Sequence, residues 1–134
     1  MEEKRSDLLK LGDQFLVVFK KLYADYRFGD IIIHWVNDDE LLEMNNRFLN
    51  HNYYTDIITF DYSRGKKISG ELFISEDRVV ENANKETIPF EQERDRVIAH
   101  GVLHLLGFKD KTEQEQEEMR LKEDQFLKEL YHGS

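Results

Sequence analysis

Cysteine is absent from this chain, so it can build neither a disulfide framework nor a thiolate zinc site. Proline occurs once, at Pro89, and no repeat or low-complexity tract marks an internal linker. Long apolar runs are missing as well. The longest candidates, Phe15–Phe19 and Val97–Ala99, fall far short of a bilayer span. The opening residues Met1-Glu2-Glu3-Lys4-Arg5-Ser6-Asp7 have neither the cationic start nor the apolar stretch of a signal peptide. These absences lead to the expectation of a cytoplasmic protein in a reducing setting, with no membrane partner. Positive charge is also scarce, with 19 basic against 28 acidic residues and a net charge of −9. That balance argues against generic coating of nucleic acid through its phosphates. It leaves room for a local cationic cleft, since basic residues gather in Arg64-Gly65-Lys66-Lys67 and at Lys109 and Lys111.

What is present suits a globular chain: 134 residues, 40% hydrophobic and 35% charged, enough for one core and expected to form a single domain over residues 1–134. Leu8, Leu11, Phe15, Val18, Phe19 and Leu22 recur at helical spacing and predict an amphipathic helix over Ser6–Tyr26. Gly29-Asp30 breaks that pattern, and Ile31–Val36, rich in branched and aromatic residues, reads as a strand. Asn37 and Glu40 form a helix-start pair ahead of Leu41, Leu42, Met44, Asn45 and Phe48. Asp56–Tyr62 and Ile68–Ser75 are strands flanking a turn at Arg64–Lys67. Ser75 caps a helix running to about Asn84, Pro89 opens another that continues to Gly107, and Thr112-x-x-Glu115 is a capping box for the last. The last helix has an apolar side of Met119, Phe126 and Leu130 and otherwise reads as an acidic, solvated face. The expected class is α+β: a small mixed sheet of about four strands covered by about five helices.

The segment from His100 to Asp110 carries the chemistry. Histidines four apart on a helix are offset by about 40° and lie roughly 6 Å apart along its axis, so His100 and His104 can face one ion. Gly107 is the expected helix stop, and Asp110 follows three residues later, within reach of the pair. Two imidazoles, a carboxylate and an open fourth position describe a catalytic rather than a structural zinc site, at the end of a central helix. Taken alone, this spacing leaves two alternatives open: a metal site, or a pair of satisfied histidines followed by a polar turn residue.

The string His100-Gly101-Val102-Leu103-His104-Leu105-Leu106-Gly107 resembles the signature of the YbeY family of bacterial endoribonucleases and ribosomal-RNA maturation factors. In that signature a third metal-binding histidine follows six residues after the second. Thr55-Asp56-Ile57-Ile58-Thr59-Phe60 is similar to the family's Thr-Asp-Val-Leu-Ser-Phe strand, and Gly70-Glu71-Leu72-Phe73-Ile74-Ser75 to its Gly-Asp-Ile-x-Ile-Ser strand. The three blocks span residues 30 to 110 or so in the right order. The resemblance implies a zinc-dependent, single-strand-specific endoribonuclease in which zinc-activated water hydrolyses the phosphodiester. Its work would be ribosomal RNA processing (maturation of the 16S 3′ end) and ribosome biogenesis or quality control. It implies one zinc ion, with other divalent metals possible, and RNA, ribosomal proteins or the small ribosomal subunit as partners.

This sequence departs from the family pattern in two places. Asp110 stands at the third ligand position, with Lys109 where an aspartate is usual. Aspartate is a competent ligand whose charge leaves the centre less positive and more tolerant of harder divalent ions. The family's arginine six residues before the Thr-Asp strand is replaced by Leu49, leaving Arg47 and His51 as flanking candidates to contact substrate together with Thr55 and Asp56. No general base is evident beyond Asp56 or Glu71 as remote candidates. Gly101 fills the place where zinc proteases of the His-Glu-x-x-His type carry their catalytic glutamate, so a metalloprotease is the weaker alternative. A ribosome-assembly factor with a structural metal and little catalysis is the other.

Overall fold

The computed structural model describes residues 8–49 and 55–132. Among them the chain runs β1 (Leu8–Lys10), α1 (Asp13–Leu22), β2 (Arg27–Val36), α2 (Asp38–Leu49), β3 (Ile57–Asp61), β4 (Lys67–Ser75), α3 (Glu76–Glu86), α4 (Phe90–Leu105) and α5 (Glu113–His132). The four strands form one mixed sheet in the order β1-β2-β4-β3. β2 and β4 are parallel, and both edge strands are antiparallel to their neighbours. This is the expected α+β class.

The first element differs from the sequence expectation of a helix over Ser6–Tyr26. Residues 6 and 7 lie outside the described part, but residues 8–10 are a strand paired with Ile32–His34. The helix itself is confined to Asp13–Leu22. Leu9 and Leu11 fit either period, and a tertiary requirement decides between them. Without a partner, the edge of β2 would present a row of unsatisfied backbone groups. The Leu11 amide also donates to the Ile31 carbonyl at 2.8 Å, extending the pairing up to Gly12, which caps α1. β2 in turn begins at Arg27, four residues before its expected start, because Gly29-Asp30 sits at a register shift inside the strand instead of ending a helix.

Alternation along the strands puts Ile31, Ile33, Ile68, Leu72 and Ile74 on one face, where they form the core with α1, α4 and α5. At its centre Phe19 of α1 stacks on Phe126 of α5, ring centroids 4.3 Å apart. The opposite face carries His34, Phe60, Glu71 and Phe73, with α2 laid over part of it through Phe48 against Phe60. α4 is the central helix, buried at Val97, Ile98, Ala99, Val102, Leu103 and Leu105. It approaches the sheet so closely at Gly101 that a Cβ there would stand 2.7 Å from Ile57 and 2.9 Å from Leu72 side-chain carbons. Glycine at this position lets α4 pack without displacing the ends of those two side chains.

The helix starts follow their sequence signals. The Ser75 hydroxyl accepts from the Arg78 amide at 3.2 Å to cap α3 and donates to Asp38 at 2.6 Å, tying the first turns of α2 and α3 together. Thr112 and Glu115 cap α5 reciprocally, each side chain accepting the other's backbone amide at 3.0 Å.

Candidate metal centre

His100 and His104 lie one turn apart near the C-terminal end of α4, rings edge to face with centroids 4.5 Å apart. The helix ends just beyond them. Gly107 adopts a φ of 106°, its amide donates to the His104 carbonyl, and the Phe108 amide donates to Leu103 at 3.0 Å. Phe108 then packs on Tyr23, centroids 6.0 Å apart, pinning the turn that folds the chain back. That return delivers Asp110 to the histidines. Its Oδ2 lies 3.1 Å from Nε2 of His100 and 3.3 Å from Nε2 of His104.

This arrangement fits a tetrahedral ion. Ligand atoms about 2.0 Å from a tetrahedral zinc stand roughly 3.3 Å from one another, the spacing Asp110 holds to each ring. One donor atom from each of the three residues lies within 4.8 Å of the other two. The second nitrogen of each ring is engaged away from the site: Nδ1 of His104 lies 3.0 Å from the Phe108 carbonyl, and Nδ1 of His100 lies 2.6 Å from a Glu123 carboxylate oxygen. A carbonyl can only accept, so His104 donates from Nδ1 and its Nε2 lone pair is left for a metal. The three side chains remain 22%, 26% and 37% exposed, so one side of the site is open.

The electrostatics suit a cation. For His100, burial alone pushes the imidazole toward the neutral form, but the hydrogen bond to Glu123 and the charges of Glu123, Asp56 and Asp110 outweigh it, and the net shift is upward. Burial also pushes the Asp56 carboxyl above the usual carboxylate range. His100 opposes that shift, while Glu123 and Asp110 add to it.

A cavity of about 420 Å³ opens beside the triad between α3, α4 and α5, lined by His100 and Asp110 together with Asp56, Lys85, Arg96 and Arg120. The structure thus brings Asp56 to the same cavity as two of the expected ligands. Thr55 precedes it, its hydroxyl donating to the Ile57 carbonyl at 3.4 Å. Arg47 is elsewhere, in a separate groove of about 230 Å³ with Val36, Met44 and Phe48, and it pairs with Glu43 at 3.2 Å. His51 lies outside the described residues. Glu71 is on the opposite face of the sheet from α4, 2.7 Å from His34 and accepting from Tyr62 at 3.2 Å.

Sequence reasoning missed Glu123, Arg96, Arg120 and Lys85. For Glu123 a signal existed. It falls four residues after Met119 and three before Phe126, on the inward stripe of α5, and all three are buried. The expectation of a wholly solvated acidic face therefore fails at this residue.

Comparison with known proteins agrees with the geometry. The family model described as "Endoribonuclease YbeY" matches residues 2–131. The chain is similar to a Flavobacterium psychrophilum protein named Endoribonuclease YbeY, 49% identical over 104 residues, which are 78% of this chain and 74% of that protein. It is similar also to the protein of that name from Phocaeicola vulgatus, 50% identical over 110 residues, 81% of this chain and 80% of the other. Among solved structures, the solution structure of TM1509 from Thermotoga maritima superposes with a TM-score of 0.63 at 28% identity, covering 89% of this chain and 77% of that one. Because the family model matches residues 2–131 and these relatives are matched over 74% and 80% of their lengths, this chain belongs to the endoribonuclease YbeY family.

Proposed function

We propose that residues 1–134 act as one metal-dependent hydrolase domain, a single-strand-specific endoribonuclease of ribosomal RNA processing that matures the 16S 3′ end in the cytoplasm. The observation that carries this reading is the triad of His100, His104 and Asp110, open on one side beside a cavity of about 420 Å³, in a chain of this family. His100 and His104 would hold the ion through Nε2 and Asp110 through a carboxylate oxygen. When bound, zinc or a similar divalent ion polarises the phosphoryl group and makes water a stronger nucleophile near neutral pH. Lys85 and Arg120 supply exposed positive charge along the cavity, where a phosphodiester backbone needs it. Asp56 is the substrate-side residue that the cavity favours, with Thr55 next to it. Arg47 in its separate groove is suited to nucleotides flanking the cut rather than to the reacting phosphate.

The absence of a glutamate beside His100 weighs against a metalloprotease. A Cβ at position 101 would press on the side-chain ends of Ile57 and Leu72, so Gly101 serves the close packing of α4 on the sheet. A second reading, an assembly factor with a structural metal, draws support from α2, where Phe48 and Leu49 are 57% and 43% exposed. The two readings separate on single-stranded ribosomal RNA. With purified wild type and His104→Ala at equal concentration, the enzyme reading expects cleavage to fall by about 100-fold or more, because the ion is worth several kcal/mol to the transition state. The far-UV spectrum should stay unchanged. Equal cleavage by the two proteins would remove the metal from the reaction.

A further inference from the structure

Burying a carboxylate costs several kcal/mol unless its oxygens find strong partners. Glu123 is 5% exposed on the inward stripe of α5, and both of its oxygens are engaged with α4. Oε1 accepts from Nη1 of Arg96 at 3.0 Å, and Oε2 lies 2.6 Å from Nδ1 of His100. Arg96 is itself held from the other side by Asp124, 2.9 Å from Nη2. An ionised carboxylate has lone pairs and no proton to give, so Nδ1 of His100 is the donor, and in the neutral ring that a metal requires Nε2 carries the lone pair. That lone pair belongs to the ring nitrogen lying 3.1 Å from Asp110.

We propose that Glu123 is a positioning residue for the metal centre. It fixes His100 in the Nδ1–H form and holds the ring so that Nε2 faces a divalent ion. The inference rests on the metal reading above and adds a fourth residue to it, from a helix that contributes no ligand. Arg96 sets the polarity of the contact. Because it donates to Oε1, a glutamine at position 123 would turn its amide oxygen toward Arg96 and its NH2 group toward Nδ1. Nδ1 would then have to accept, the proton would reside on Nε2, and the lone pair would be lost to the ion. Removing an outer partner of this kind weakens metal binding by about 10–100-fold in metal sites generally.

The test is zinc affinity by chelator competition on the full chain, for wild type, Glu123→Gln and Phe126→Leu, the last a buried packing residue of the same helix outside the site. Glu123→Gln should bind about 10–100-fold more weakly, whereas Phe126→Leu should melt at lower temperature yet bind within about threefold of wild type. Equal loss in both variants would mean that helix packing, not the histidine contact, sets the affinity, and would overturn the proposal. So would wild-type affinity in Glu123→Gln. A wild-type chain that binds no zinc would remove the metal reading as well, so the two failures are distinguishable. Nitrogen-15 spectra of the zinc-loaded wild type give a readout that does not depend on any variant folding. The proposal requires the His100 ring proton on Nδ1, and a proton on Nε2 would refute it.

Discussion

Asp110 stands where the family resemblance implies a third histidine, and the structure gives it reach to both histidines of the candidate metal centre. Its Oδ2 lies 3.1 and 3.3 Å from the two Nε2 atoms while the side chain stays 37% exposed. A negative ligand lowers the net charge of the centre and suits harder divalent ions than a third imidazole would. Asp110→Ala should lose its metal on dialysis, with affinity at least about 100-fold weaker, beyond the range for losing an outer partner alone. Elemental analysis of the dialysed protein checks this, and full metal content would show that Asp110 is no ligand. Gly101 is the complementary case. Its lack of a side chain looks at first like a missing catalytic base, yet a Cβ there would displace the side-chain ends of Ile57 and Leu72 where α4 sits against the sheet.

At the scale of elements, α5 is anchored at its start by a capping box and along its length by Met119, Glu123 and Phe126. Thr112→Ala should cost about 1 kcal/mol of stability, as removal of an N-cap hydroxyl does, measured by urea denaturation at neutral pH. Glu115 gives the box a pH dependence. Its carboxylate accepts the Thr112 amide, and with further help from the Lys111 amide this holds its pKa below the ordinary value of 4.5. A carboxyl lowered on folding stabilises the native state above its unfolded pKa, and that contribution is lost as pH falls through the folded value. The stability gap between wild type and Glu115→Gln should therefore be flat near neutrality and shrink as the pH drops below 4.5. A gap that instead grew on acidification would contradict this assignment. The same scale shows where periodicity misled. Leu9 and Leu11 suit helix and strand alike, and the open edge of β2 recruited residues 8–10 as a strand.

For the whole molecule, the net charge of −9 sets the terms on which RNA could bind. Lys85 and Arg120 are the exposed cations lining the cavity, beside acids such as Glu86 and Asp110. Two phosphate contacts to a single strand give a slope of about −1.4 in log affinity against log salt. Anisotropy titrations of His104→Ala with a labelled single-stranded RNA should show a slope near that value. A slope several-fold steeper would indicate a broad cationic surface that this charge distribution does not provide.

The sequence by itself determined the parts that depend on local spacing. Histidines four apart must share a helix face, a glycine past the last turn must turn the chain, and Ser75 and Thr112 must cap the helices they precede, because each effect acts within one or two turns of backbone. The α+β class was legible for the same reason, through strand alternation and helix period. What only the tertiary structure decided involves partners far apart in the chain. The fold of residues 8–10 depended on the unpaired edge of β2, and the approach of Asp56 to the cavity depended on how β3 leads into the sheet beside α4. Glu123 shows the boundary between the two. Its place on the apolar stripe of α5 could be read from spacing alone, but its role could not. His100, 23 positions earlier, becomes its neighbour only when α5 packs on α4 and burial makes each depend on the other for a hydrogen bond.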